Sequence, residues 1–124
     1  MNDRIDELRQ IIHDDPTNFQ AMRELACELM DIGENDNAMK ALDYLIKIFP
    51  DEANLYYNMG IVQEKLRNDD KAIEYYQTAM RLEPNDPNYM YNLACAYVTK
   101  KEYENANWIV FAVYGWVNIC IPLI

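Results

Sequence analysis

The 124-residue sequence has one histidine, three glycines and three cysteines, and each scarcity removes a class of chemistry. His13 is a single imidazole with no cysteine near it in sequence, so no zinc set can be assembled around it. Gly33, Gly60 and Gly115 stand far apart, which excludes a Gly-rich phosphate loop and a G-x-S-x-G nucleophile turn. Cys27, Cys95 and Cys120 are odd in number and lack C-x-x-C spacing, as free thiols of a reducing compartment would be, so a cytoplasmic location is expected. Basic residues are also few, 11 against 21 acidic, for a net charge of −10. That balance repels phosphate backbones and supplies no basic stripe, so nucleic acid is not an expected partner. The N-terminal MNDRIDELRQ lacks the apolar run of a secretory signal. The acidic pairs Asp14-Asp15 and Asp69-Asp70 fall in turns, where carboxylates cap helices and meet water. No catalytic residue, metal or cofactor is therefore expected, and the protein is not read as an enzyme.

What is present is a repeat. Shifting the sequence by the interval from Pro16 to Pro50 brings Pro16, Pro50 and Pro84 into line, then Ala38, Ala72 and Ala106, then Leu25, Met59 and Leu93, with Ala26, Gly60 and Ala94 directly after them. Within one period, Tyr56, Met59, Gly60 and then Ala72, Ile73, Tyr76, Ala79 and Met80 recur at the three- and four-position spacing of amphipathic helices. Asp86 before Pro87 is a helix start, because the carboxylate caps free N–H groups and proline loses no needed donor at the first helical position. Pro50 and Pro84 end the helices before them. The spacing predicts helices at 18–31, 36–49, 52–65, 70–83, 86–99 and from 104 onward.

These columns resemble the tetratricopeptide repeat family, a 34-residue helix-turn-helix unit with the pattern W-x2-L-G-x2-Y, A-x3-F, P. Tyr56, Met59, Gly60, Ala72, Tyr76 and Pro84 take the pattern's places in the middle unit, while Gln63 stands where a tyrosine is usual. Met22, Leu25, Ala26, Leu29, Ala38, Leu42 and Pro50 supply the first unit, and Met90, Leu93, Ala94, Tyr97 and Ala106 the third. The resemblance implies an all-α, right-handed helical-repeat solenoid of antiparallel helix pairs. Its expected divisions are an N-terminal capping half unit at 1–18, repeats at 19–52 and 53–86, a third at 87–117 with an atypical second helix, and an uncharged tail at 107–124. Small residues at 26, 60, 94 and at 38, 72, 106 let paired helices approach, and no unit buries its apolar face alone. Leu8, Ile11, Ile12 and Pro16 keep the register of a second helix and cap the stack.

In this family the first helix of each repeat lines a concave surface, and the resemblance implies a peptide groove. The matching positions are Gln20, Arg23, Glu24 and Cys27, then Asn54, Tyr57, Asn58 and Ile61, then Asn88, Tyr91, Asn92 and Cys95. An asparagine ladder of Asn54, Asn58, Asn88 and Asn92 offers donors and acceptors to a peptide backbone of any sequence, and Tyr57 and Tyr91 add apolar area with a polar tip. The carboxylate clamp of heat-shock co-chaperones is not matched. Arg23 and Asn58 keep its chemistry, but Cys27 replaces an amide and Asn88 and Asn92 stand where cations belong. A neutral or basic peptide is therefore expected, held at about micromolar affinity, roughly −8 kcal/mol.

The last residues, NWIVFAVYGWVNICIPLI, carry no charge, and Trp108, Phe111, Tyr114 and Trp116 make them aromatic as well. A segment apolar on all sides belongs in protein or lipid. One reading is a membrane span from Trp108 to Ile124, which reaches only ~26 Å against a ~30 Å hydrocarbon core, with Lys100 and Lys101 on the cytoplasmic flank. Another is a homodimer interface at the uncapped end of the solenoid. A third is an ending of a longer array with no role of its own. The functional expectation is a non-enzymatic protein-interaction scaffold, with a tail-anchored membrane adaptor using 108–124 and a chaperone for a client protein as its alternatives.

Overall fold

The computed structural model describes residues 3–100, and these form six α-helices. They are α1 (Asp3–Asp14), α2 (Phe19–Asp31), α3 (Asn35–Ile48), α4 (Ala53–Lys65), α5 (Asp69–Leu82) and α6 (Pro87–Thr99). The five helices expected between 18 and 99 all form, each bound within one residue of its expected place. Each helix packs chiefly on its neighbours in the chain, so the described residues make an all-α helical-repeat solenoid. The sequence from 101 onward lies outside the described residues. That includes Ala106 and the tail positions Trp108, Phe111, Tyr114 and Trp116 expected to meet lipid or a second copy. Among the described residues no helix is long and apolar enough to cross a membrane.

Local chemistry sets the ends of these elements. Asn18 caps α2 by accepting from the Ala21 N–H at 3.0 Å, and Asp86 caps α6 by accepting from the Asn88 N–H at 2.9 Å, with Pro87 at the first helical position. Asp15 accepts from both the N–H and the hydroxyl of Thr17, at 3.0 and 2.6 Å, so the acidic turn before α2 is closed by its own side chains. The hydroxyl bond, then the amide bond, hold the Asp15 carboxyl below its ordinary range.

The two turns inside repeats share one geometry. After α2 the Glu34 N–H donates to the Leu29 carbonyl at 2.9 Å and the Gly33 N–H to Met30 at 3.1 Å. After α4 the Asn68 N–H donates to Gln63 at 2.8 Å and the Arg67 N–H to Glu64 at 3.0 Å, the same pattern one period later. This six-to-one closure needs a left-handed residue after the C-cap. Gly33 adopts it at φ 82° without strain, whereas Arg67 adopts it at φ 65° with a Cβ to accommodate. Arg67→Gly is therefore expected to stabilise the fold by about 0.5–1 kcal/mol, read as a melting temperature higher by a few degrees. A melting temperature that falls would mean the Arg67 side chain contributes more than its backbone costs.

The core runs as a chain of clusters along the stack. The first joins Ile5 of α1 to Ala26 and Leu29 of α2, Ala38, Leu42 and Leu45 of α3, and Leu55, Met59 and Val62 of α4. The second joins Ala72, Ile73 and Tyr76 of α5 to Leu93, Ala94 and Ala96 of α6. A third, of Ala53, Ala79 and Tyr89, fills the joint between the second and third repeats. The small-residue columns act as expected: Ala26, Gly60 and Ala94 are buried, as are Ala38 and Ala72. Of the large column, Met59 and Leu93 are buried but Leu25 only half so.

Gln63, which departs from the family tyrosine, is the one buried polar residue among the described residues, and its groups are occupied. Its amide donates to the Met39 sulfur at 3.2 Å, and its carbonyl accepts from the Asn68 side chain at 3.0 Å. The substitution thus ties the α4–α5 turn to the core rather than leaving a buried polar group unpaired.

Candidate functional site

The helices expected to open the repeats, α2, α4 and α6, are linked directly by side chains. Between α4 and α6 the Asn92 amide donates to the Tyr57 hydroxyl at 3.2 Å, and the Tyr57 and Tyr89 rings lie 5.1 Å apart. Between α2 and α4 the Lys65 ammonium donates to the Met30 carbonyl at 3.3 Å, and Arg23 reaches Glu52 at the start of α4. Ile61 packs against both larger clusters, which puts the middle of α4 at the centre of this face.

Arg23 does not stand as a free groove cation. Its Nε and Nη2 donate to the two carboxylate oxygens of Glu52 at 3.1 and 2.6 Å, and its guanidinium lies 4.6 Å from the Phe49 ring centre. Both partners of the pair are largely shielded from water, with side chains 27% and 35% exposed, so this ion pair is stronger than a surface one. Glu52 occupies the N-cap of α4 yet makes no capping bond, because its carboxylate is turned to Arg23. No spacing rule joins Arg23 to Glu52 or to Phe49, and the sequence carries no signal for this pair.

The asparagine ladder also departs from its expected form. Asn92 spends its amide inside the fold, on the Tyr57 hydroxyl and on the Asn88 carbonyl at 2.8 Å, and keeps only its side-chain oxygen for a ligand. Asn54 lines an open cleft of about 540 Å³ with Pro50, Asp51, Glu83 and Tyr89, on the joint between repeats. Asn58 is half-buried and Asn88 is exposed. The ladder therefore divides into a structural amide at Asn92, an edge amide at Asn54, and two that face outward or partly so.

Of the other expected positions, Gln20, Cys27 and Cys95 are exposed, and Ile61 and Tyr57 are half-buried. Tyr91 is 59% exposed, the largest such value among the exposed large hydrophobic residues described. Cys27 and Cys95 are free thiols. Partial desolvation raises the Cys27 thiol above its usual range, and Asp31, Glu28 and Glu24 push it the same way. The α2 end of the face thus holds a negative field and a thiol disinclined to ionise.

Nothing at this face resembles a catalytic arrangement. Among the described residues no group of three or more His, Cys, Asp or Glu could hold a metal ion, and His13 is exposed beside Asp14 at 3.5 Å. Asp70 pairs with Lys100, and Asp69 and Asp70 open α5 where the helix dipole favours them. What the arrangement can do is present ordered apolar and amide groups to another chain.

Comparison with known proteins agrees with this architecture. A family described as Tetratricopeptide repeat matches residues 53–86, and a second of the same description matches residues 87–106. No curated protein sequence matches the chain. Among solved structures, MamA from residue 41 to its end, from Desulfovibrio magneticus RS-1, superposes with a TM-score of 0.83 at 23% identity, over 88% of this chain and 62% of that one. Another MamA crystal structure gives 0.78 at 22%, over 89% and 66%, and MamA AMB-1 gives 0.76 at 21%, over 88% and 60%. At such identities the likeness is one of fold, and this chain spans less than two thirds of those proteins. With two repeat matches in consecutive units and the helix-pair stack that carries them, residues 53–106 are tetratricopeptide repeats.

Proposed function

We propose that the protein is a non-enzymatic interaction scaffold that holds a peptide segment of a partner protein against the shared face of α2, α4 and α6. The tetratricopeptide repeat is a protein-interaction fold, and function on such a fold resides in the side chains that its faces present. The observation that carries the reading is the Tyr57–Asn92 hydrogen bond, 35 positions apart. It ties Tyr57 of α4 to Asn92 of α6, which supports reading Asn58, Asn88 and the well-exposed Tyr91 as parts of one binding surface. Preordered aromatic and amide groups lose little entropy on binding, which is what a short peptide ligand requires.

The test is fluorescence anisotropy with a labelled KKLYLYL peptide as probe. Asn58→Ala combined with Asn92→Ala is expected to raise Kd by about tenfold, equivalent to roughly 1.4 kcal/mol, with helicity by circular dichroism unchanged. Unchanged affinity in the double variant would remove this face from the interaction.

A further inference from the structure

The three first helices differ in charge in a way that the asparagine and tyrosine pattern hides. Helix α2 carries Glu24, Glu28 and Asp31 with Arg23, α4 carries Glu64 with Lys65, and α6 carries no charged residue. Both cations are engaged inside the fold: Arg23 by Glu52 and the Phe49 ring, Lys65 by the Met30 carbonyl. Of the α2 carboxylates, Glu24 is paired with Arg4, which leaves Glu28 and Asp31 at that end of the face. The face is therefore polarised, acidic over α2 and uncharged over α6.

Resting on the peptide-binding reading above, we propose that Glu52 sets the charge preference of this groove. By occupying the Arg23 guanidinium it withholds the cation that a carboxylate-bearing peptide would use. The occupant is then a peptide with basic side chains over α2 and apolar ones over α4 and α6. The two-pronged geometry supports this role, since Glu52 fills the Nε–Nη2 edge of the guanidinium and offsets its charge, so that the remaining N–H groups belong to a nearly neutral pair. So does the unused N-cap: a carboxylate at the start of α4 would ordinarily serve the helix, and this one is turned across the repeat boundary instead. Charge complementarity completes the case, because Glu28 and Asp31 attract a lysine or arginine and disfavour an acidic side chain.

The experiment uses the full chain and two labelled peptides, KKLYLYL and EELYLYL, with anisotropy read for wild type, Glu52→Gln and Arg23→Gln. Wild type is expected to bind the lysine peptide at least about tenfold tighter than the glutamate peptide. In Glu52→Gln that ratio should fall to about one, mainly because the freed Arg23 improves glutamate-peptide binding. In Arg23→Gln the preference for lysine should persist, since neither prong remains to recruit a carboxylate. If both peptides bind and Glu52→Gln leaves their ratio unchanged, Glu52 does not set the preference. A gain of glutamate-peptide binding in Arg23→Gln would overturn it as well, and serves if Glu52→Gln fails to fold. If neither peptide binds wild type, the groove reading itself fails and this inference falls with it.

Discussion

Tyr76→Ala is expected to cost about 3–5 kcal/mol, a large share of the stability of a domain this size. The ring is fully buried in α5 and packs with Leu93 and Ala94 of α6, with its centre 6.0 Å from that of Tyr57 on α4. Three helices therefore lose contacts when it goes, and a solenoid has no distant core to compensate, because each unit leans on its neighbours. Desolvation, then the hydrogen bond its hydroxyl donates to Glu64, raise the Tyr76 phenol far above its ordinary value, as expected of a neutral hydroxyl held out of water. Tyr76→Phe removes only that bond and should cost about 0.5–1.5 kcal/mol. Urea denaturation measures both. Equal costs for the two substitutions would mean that the hydroxyl matters and the ring does not, contrary to the packing described.

The second large effect concerns the residue facing that ring. A Cβ placed on Gly60 would lie 2.4 Å from Cε1 and 2.6 Å from Cδ1 of Tyr76, so the ring would have to move. It is rigid and fully enclosed, and overpacking of this kind costs about 1–3 kcal/mol, here toward the upper end. Alanine in a helix interior returns up to about 1 kcal/mol relative to glycine, so the net effect of Gly60→Ala remains destabilising. The combination is more telling than either single substitution. In a Tyr76→Ala background the obstacle is gone, and Gly60→Ala should change sign and stabilise by up to about 1 kcal/mol. Additive effects across the four proteins would show that Gly60 is not reserved for the Tyr76 ring.

The small-residue columns were legible in the sequence because they answer a steric demand that returns in every period, and Gly60 opposite Tyr76 is the sharpest case. Helix ends were legible too where one residue decides them, as at Asp86-Pro87 and Pro50. Leu45, Leu55 and Val62 are buried but stood outside the pattern. Helix α4 is packed on one side by α3 and on the other by α5, so apolar residues recur around most of its circumference and no single stripe marks them. At the candidate site the sequence did not show how the expected positions are engaged. Arg23 read as a free cation until Glu52 and Phe49, both distant from it along the chain, were seen to hold it, and Asn92 as a free amide until Tyr57 was. Pairings across repeats depend on the angle between neighbouring units, and local periodicity does not encode that angle.

The central claim is that a partner peptide lies on the face shared by α2, α4 and α6. It is tested most directly by titrating the isotopically labelled chain with KKLYLYL and mapping backbone chemical-shift changes. The account predicts saturable shifts concentrated at Tyr57, Asn58, Ile61, Tyr91, Asn92 and Cys95, with Glu28 and Asp31 moving toward the lysine end. The outward residues Lys40, Lys47, Glu74 and Arg81 of α3 and α5 should stay in place. Shifts confined to α3 and α5, with the α4 and α6 positions unmoved, would contradict it.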